Sequence, residues 1–165
     1  MPKYHEQTLI RNFERLIRDD NIYGVNENEC HKNFNCKAKK YADVEYITKT
    51  GIRLVIEAKT HLSPDRHNSL HKIFGELLKE ANRDRDKQVE CQYGLLVPLT
   101  TSNRISGEEF YRNKLVEHVG MKNLKEFSRI IPMTWVFACD NKRLKMYTWG
   151  DFFEDKNCCW EWSVP

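Results

Sequence analysis

The sequence predicts a mixed α/β fold, one sheet with helices packed on it, and three observations lead there. Residues 5–18 and 64–86 repeat apolar side chains at helical spacing. Residues 41–60 read as a β-hairpin. Residues 93–99 are an unbroken apolar run of the kind that forms a fully buried central strand, and the long helix before it makes the run parallel to the preceding strand. The expected order is helix, two strands, helix, strand, helix, two strands, which describes a mixed sheet flanked by helices.

In the first helix Leu9, Ile10, Phe13, Leu16 and Ile17 form one apolar stripe. At about 100° per residue Glu6 falls near the middle of that stripe and Glu14 well off its centre, so one acid points inward. Glu6 equally suits a first-turn acid that complements the helix dipole. Residues 19–40 are polar and rich in asparagine, apart from a short strand around 22–25, and read as a long connection able to carry function. The hairpin turns at Lys49-Thr50-Gly51, a three-residue loop closed by a left-handed glycine.

The second helix follows with Leu70, Ile73, Phe74, Leu77, Leu78 and Ala81 inward and Ser63-Pro64 as cap and first turn. Pro98 belongs at the end of the central strand. Ser106-Gly107-Glu108-Glu109 opens a third helix with Phe110, Leu115, Val119, Leu124 and Phe127 facing in and Gly120 permitting a break. Residues 130–139 and 143–149 pair around Asp140-Asn141-Lys142 as a second hairpin. The tail is aromatic and acidic, with no element assigned.

A chain of 165 residues suits one domain, with a core of about residues 3–99, a C-terminal helix and hairpin over 106–150, and a tail over 151–165. Hydrophobic residues make up 40% and charged residues 31%, which argues against disorder. No apolar run approaches a membrane span and the N-terminus lacks a secretory signal, so a cytoplasmic protein with no membrane contact is expected. The net charge of +3 permits a polyanionic partner. Lys37, Lys39 and Lys40 before the hairpin and Arg66, Lys72, Lys79, Arg83, Arg85 and Lys87 after it bracket the hairpin with positive charge, although charge runs usually mark a solvated face.

Without a secretory signal the six cysteines read as thiols or ligands rather than a disulfide framework. Cys91 and Cys139 fall in apolar runs and read as small core residues. Cys30, Cys36, Cys158 and Cys159 lie in polar segments and are candidate ligands of a structural zinc, against which stand their irregular spacing and the difficulty of chelating one ion with adjacent cysteines.

The hairpin carries the chemistry. Its turn sets Thr48 opposite Ile52, and extending that register sets Asp43 opposite Glu57. Alternation then puts Asp43, Glu57 and Lys59 on one face, and Val44, Tyr46, Ile52, Leu54, Ile56 and Ala58 on the core face, for the next helix to cover. A one-residue slip would send the two acids to opposite faces. Two opposed carboxylates repel, and a hard divalent cation such as magnesium, with manganese as a substitute, answers that repulsion. Lys59 on the same face can hold a water or offset charge developing at phosphorus. The plain alternative is a solvated face with Glu57 and Lys59 as surface charges.

Asp43, thirteen intervening residues and then Glu57-Ala58-Lys59 resemble the PD-(D/E)XK nuclease motif. The order of helix, hairpin, helix and strand over roughly residues 3–99 also resembles the restriction endonuclease-like core of that family. Tyr41-Ala42 stands where the nominal proline precedes the aspartate, and the glutamines that some subfamilies carry on the following helix are missing. The resemblance implies that Asp43 and Glu57 bind magnesium, that the Ala58 carbonyl is a further ligand, that Lys59 orients the attacking water and that Glu6 is the helix acid. It implies a nuclease acting on DNA, plausible as a restriction-type endonuclease and, for cutting both strands, a homodimer. The 26–40 segment, the 100–104 loop and the Lys142-Arg143 turn then have the donors to reach bases or phosphates. The expectation from another class is a non-catalytic module of the same fold that binds nucleic acid or protein, zinc-stapled through the four cysteines.

Overall fold

The computed structural model describes residues 2–26, 42–60, 66–83, 88–101 and 106–165. Six strands form one sheet in the order β1-β2-β3-β4-β5-β6. They are β1 (Val44–Ile47), β2 (Arg53–Ala58), β3 (Cys91–Pro98), β4 (Met133–Cys139), β5 (Arg143–Thr148) and β6 (Trp160–Ser163). β2, β3 and β4 run parallel, and the flanking pairs β1/β2, β4/β5 and β5/β6 are antiparallel. Five helices accompany it among the described residues: α1 (Pro2–Ile17), α2 (Arg66–Ala81), α3 (Gly107–Val119), α4 (Met121–Ile130) and α5 (Trp149–Phe153). The fold is α+β with a mixed sheet, and no helix among the described residues is long and apolar enough to cross a membrane.

Alternation along the strands sorts the core into two clusters, one per sheet face. On one face Val44, Tyr46, Leu54, Ile56, Leu96, Phe137 and Met146 meet the α1 stripe of Leu9, Ile10, Phe13, Leu16 and Ile17. Phe13 and Phe137 pack edge to face with centroids 5.2 Å apart, an arrangement favoured by their quadrupoles. On the other face Val55, Tyr93, Leu95, Val97, Val136 and Ala138 meet Ile73 and Leu77 of α2, together with α3, α4 and α5. β3, covered on both faces, is the buried central strand its sequence describes, with Pro98 as its last residue.

The hairpin register is the expected one: Val44 pairs with Ile56 and Tyr46 with Leu54, and Thr48 N–H donates to the Ile52 carbonyl at 2.8 Å. Gly51 takes the left-handed φ of 87° that the turn requires. The covering helix differs from expectation. The apolar hairpin face packs on α1, and α2 lies over the face that carries the acids. The hand of a parallel crossover decides which side a helix takes, and apolar spacing does not report it.

Other boundaries also move. The third helical pattern breaks at Gly120 into α3 and α4, with Ser106 Oγ capping α3 by accepting from Glu109 N–H at 3.1 Å. Tyr111 rather than Phe110 is the aromatic buried from α3, Leu78 of α2 is 46% exposed, and Glu14, expected off the stripe's centre, is buried. Ile130 ends α4 instead of starting a strand, and β4 begins at Met133. Trp149 leaves β5 to open α5, where Thr148 Oγ1 accepts from Asp151 N–H. The tail forms β6 along β5. Residues 22–25 contribute a single bridge, Val25 to Thr48.

Gly107 holds α3 against the end of β3, its N–H donating to the Leu99 carbonyl at 2.8 Å. A Cβ there would stand 1.4 Å from the Pro98 carbonyl oxygen, closer than any backbone tolerates. Gly107→Ala is expected to lower stability by about 1–3 kcal/mol, as other overpacked sites do, read as the shift of a urea unfolding midpoint at unchanged slope.

Candidate active site

Asp43 lies just ahead of β1, and its Oδ2 accepts from the Ala58 backbone N–H at 2.8 Å. That bond anchors the carboxylate to β2, beside Glu57 on the neighbouring position of the same strand. The register carries Asp43 to Glu57, and the two side chains hydrogen-bond to each other. Lys59 continues the chain past β2, its N–H donating to the Leu96 carbonyl at 2.9 Å. Its ammonium turns under α2 and meets Glu76 Oε2 at 2.6 Å. Glu6, in the second turn of α1, approaches from the other side.

The cluster is buried. Glu57 keeps 6% of its surface exposed and the Lys59 side chain 11%, so the solvated-face alternative does not describe it. Burial, and then the Asp43 charge, push the Glu57 carboxyl from its ordinary 4.5 up to about 10. Asp43 is also raised by burial, opposed by the Ala58 N–H bond and the Glu57 bond. The two therefore titrate as a coupled pair. Glu6 is raised to about 7, first by burial and then by Asp43. Burial draws the Lys59 ammonium down, but the Glu76 bond and charge outweigh it and leave it above its ordinary value. Lys59 is a cation throughout the physiological range.

Each of the four expected residues is brought into one cluster, with Asp43, Glu57 and Lys59 on the sheet and Glu6 on α1. Glu76 is the member that sequence reasoning missed. It lies on the inward stripe of α2 with Ile73 and Leu77, both fully buried. An acid inside an apolar stripe was the signal, the same one that singled out Glu6.

Among the described residues no three His, Cys, Asp or Glu side chains are set to grip one ion. The zinc set is not assembled among them either. Cys30 and Cys36 lie outside the described residues. Cys158 packs against the cluster under α2 to α5, while the Cys159 thiol donates to the Met146 carbonyl at 3.2 Å. The 26–40 segment and the 100–104 loop also fall largely outside the described residues. A polar cleft of about 750 Å³ lies elsewhere, between α3, β5 and the tail, and includes Glu108, Arg112, Lys145 and Asp155. Its cations are engaged by its acids, Arg112 with Asp155 at 3.0 Å and Lys145 with Glu108 at 3.7 Å.

Comparison with protein-family models, with curated proteins and with solved structures gave no match.

The raised Glu57 value fixes a pH dependence. A carboxyl that binds its proton more tightly folded than unfolded contributes stability at low pH, and that contribution is lost as pH rises from the unfolded value near 4.5 towards about 10. With divalent cations chelated, Tm is expected to fall between about pH 6 and about pH 9, and Glu57→Gln is expected to flatten that fall. At about pH 8 the same substitution should raise Tm by about 2–4 °C for each 1 kcal/mol that burying and protonating the carboxyl costs, measured by calorimetry.

Proposed function

We propose that the protein is a divalent-metal-dependent nuclease with a restriction endonuclease-like core, hydrolysing phosphodiester bonds in DNA. The observation that carries this reading is the pair of buried carboxyl groups, Asp43 and Glu57, held side by side with a buried ammonium two residues further along the chain, just past β2. Structural acids rarely occupy such a position, because burying two like charges side by side opposes folding. Perturbed acids gathered round a lysine are what proton and phosphoryl chemistry uses.

The donors fit the metal. Asp43 and Glu57 offer hard carboxylate oxygens, and magnesium is content with one or two such ligands when waters and substrate phosphate complete its shell. Asp43, Glu57 and the Ala58 carbonyl would hold magnesium, or manganese in its place. When bound, the ion supplies Lewis acidity at the phosphoryl oxygen and makes water a better nucleophile.

Lys59 does the positioning. Its ammonium donates to the attacking water or to a non-bridging phosphate oxygen, and its charge offsets what develops at phosphorus as the P–O bond breaks. Glu76 keeps the ammonium in place and protonated. Glu6 borders the same space and orients a water by hydrogen bonding. Cleavage of both strands of a duplex calls for two such centres, which a homodimer supplies.

The test is cleavage of supercoiled plasmid with magnesium, with manganese and with EDTA. Wild type should cleave with either metal and stop in EDTA. Lys59→Ala should lose about 10²–10³-fold in rate, as removal of a transition-state donor does, and Asp43→Ala should be inactive. Equal cleavage by wild type and both variants would overturn the assignment.

Glu76→Gln removes the charge that holds Lys59 and keeps its shape. A loss of about 10-fold in kcat with KM little changed is expected from mispositioning alone, measured on a fluorescent oligonucleotide.

A further inference from the structure

Strand β6 closes the sheet at its far edge and carries Trp160 and Trp162 on the same side. Their rings are parallel to within 6°, with centroids 6.5 Å apart. Trp160 leans half-buried on the cluster beneath α1, while Trp162 keeps 38% of its surface open. The contrast with Trp149, 3% exposed, shows that this fold can bury an indole when it serves only the core.

Cations stand on the adjoining α1 and on the turn before β5. Arg11, Arg15 and Arg18 repeat at i, i+4 and i+7 along the outward side of α1, and all three are exposed. The Arg15 guanidinium bends down to donate to the Asn141 carbonyl in the turn before β5, which ties this row to the aromatic margin. Lys142 is exposed in the same turn, and its carbonyl accepts from Val164 N–H at 2.8 Å just beyond Trp162. Asp140, the acid of that turn, is occupied by the N–H groups of Lys142 and Arg143, both at 2.7 Å.

Register sets how far this margin lies from the acid cluster. Ala58 pairs with Leu96, Leu96 with Phe137, Phe137 with Met146 and Met146 with Trp160, so Trp160 stands on the same cross-sheet row as the strand end between Glu57 and Lys59, on the α1 face opposite the acids. Four interstrand steps of about 4.8 Å separate them, roughly 19 Å.

We propose that Trp160 and Trp162, with Arg11, Arg15 and Lys142, form a platform for single-stranded nucleic acid. Unpaired bases stack on the indoles, which accept any base because each has a π-face, and the phosphates lie along the cations. A duplex presents base edges in its grooves and keeps its base faces stacked inside, so it has nothing to offer an open indole. The assignment rests on the nuclease reading only in naming the substrate as one with an unpaired stretch.

The full chain in EDTA, titrated against a 5′-labelled twelve-nucleotide oligothymidine and a twelve-base-pair duplex, tests it by fluorescence anisotropy. The single strand should bind more tightly than the duplex. Trp162→Ala should weaken it by about 5-fold to 150-fold, the range for one lost base–aromatic stack, and Trp162→Phe should recover most of that. Arg11→Gln with Arg15→Gln should weaken it and lower the salt slope by about one to two. Arg129→Gln, exposed on α4 over the opposite sheet face, should bind as wild type does. Unchanged affinity in Trp162→Ala, preference for the duplex, displacement by a proline-rich peptide, or a wild-type dimer that Trp162→Ala dissolves would each overturn the platform. Lys59→Ala cleaving normally while Trp162→Ala loses binding would sink the nuclease reading and leave the platform standing.

Discussion

The pairing of β1 with β2 is the constraint on which the rest depends. Gly51 at φ 87° closes the turn, and from that one residue the register places Asp43 beside Glu57. The same register sends Val44, Tyr46, Leu54, Ile56 and Ala58 to the opposite face, where α1 buries them. One slip would exchange the two sets, burying charge under α1 and leaving apolar side chains beneath Glu76. The apolar set therefore holds the acids in place by refusing every other pairing.

Burial on both faces then sets the electrostatics. Had the acid face been left to solvent, Asp43 and Glu57 would ionise independently and repel only weakly. Under α2 burial raises both carboxyls, and the Ala58 N–H and Lys59 act against that rise at Asp43. Such a cluster is tolerated because the surrounding packing is dense: Phe13, Ile56, Ile73, Leu77 and Leu95 are fully buried around it. Stability is yielded at the site and recovered in the layers above and below, the arrangement expected where function and stability oppose each other.

What the sequence disclosed follows from what local patterning encodes. Period-two alternation and the glycine turn gave the hairpin register, and the apolar run 93–99 gave a buried parallel strand, because both features are local and strongly periodic. Side of the sheet is different. Which helix covers which face depends on crossover hand, and so the stripe acid Glu76 could be marked as inward but not assigned to the hairpin acids until that side was known. The last elements were missed for another reason. Thr148-Trp149-Gly150-Asp151 is a capping signal hidden behind a strand-like aromatic, and Trp160-Glu161-Trp162 alternates over too few residues to be separated from a polar tail.

α1 joins these threads, because one helix meets three requirements at three angles. Its apolar stripe fills the space beneath Phe137 and Met146. Glu6 lies on that same stripe but ahead of its apolar members, so the side chain clears the apolar floor and feels the Asp43 charge at the strand end. Arg11 and Arg15 lie on the side away from the sheet, where an inward charge would be intolerable and an outward one is free to meet an anion. Axial position separates the roles as firmly as angle does. An acid one turn later on the stripe would sit where Leu9 and Ile10 are buried. The spacing of charge along α1 is thus set by the sheet beneath it.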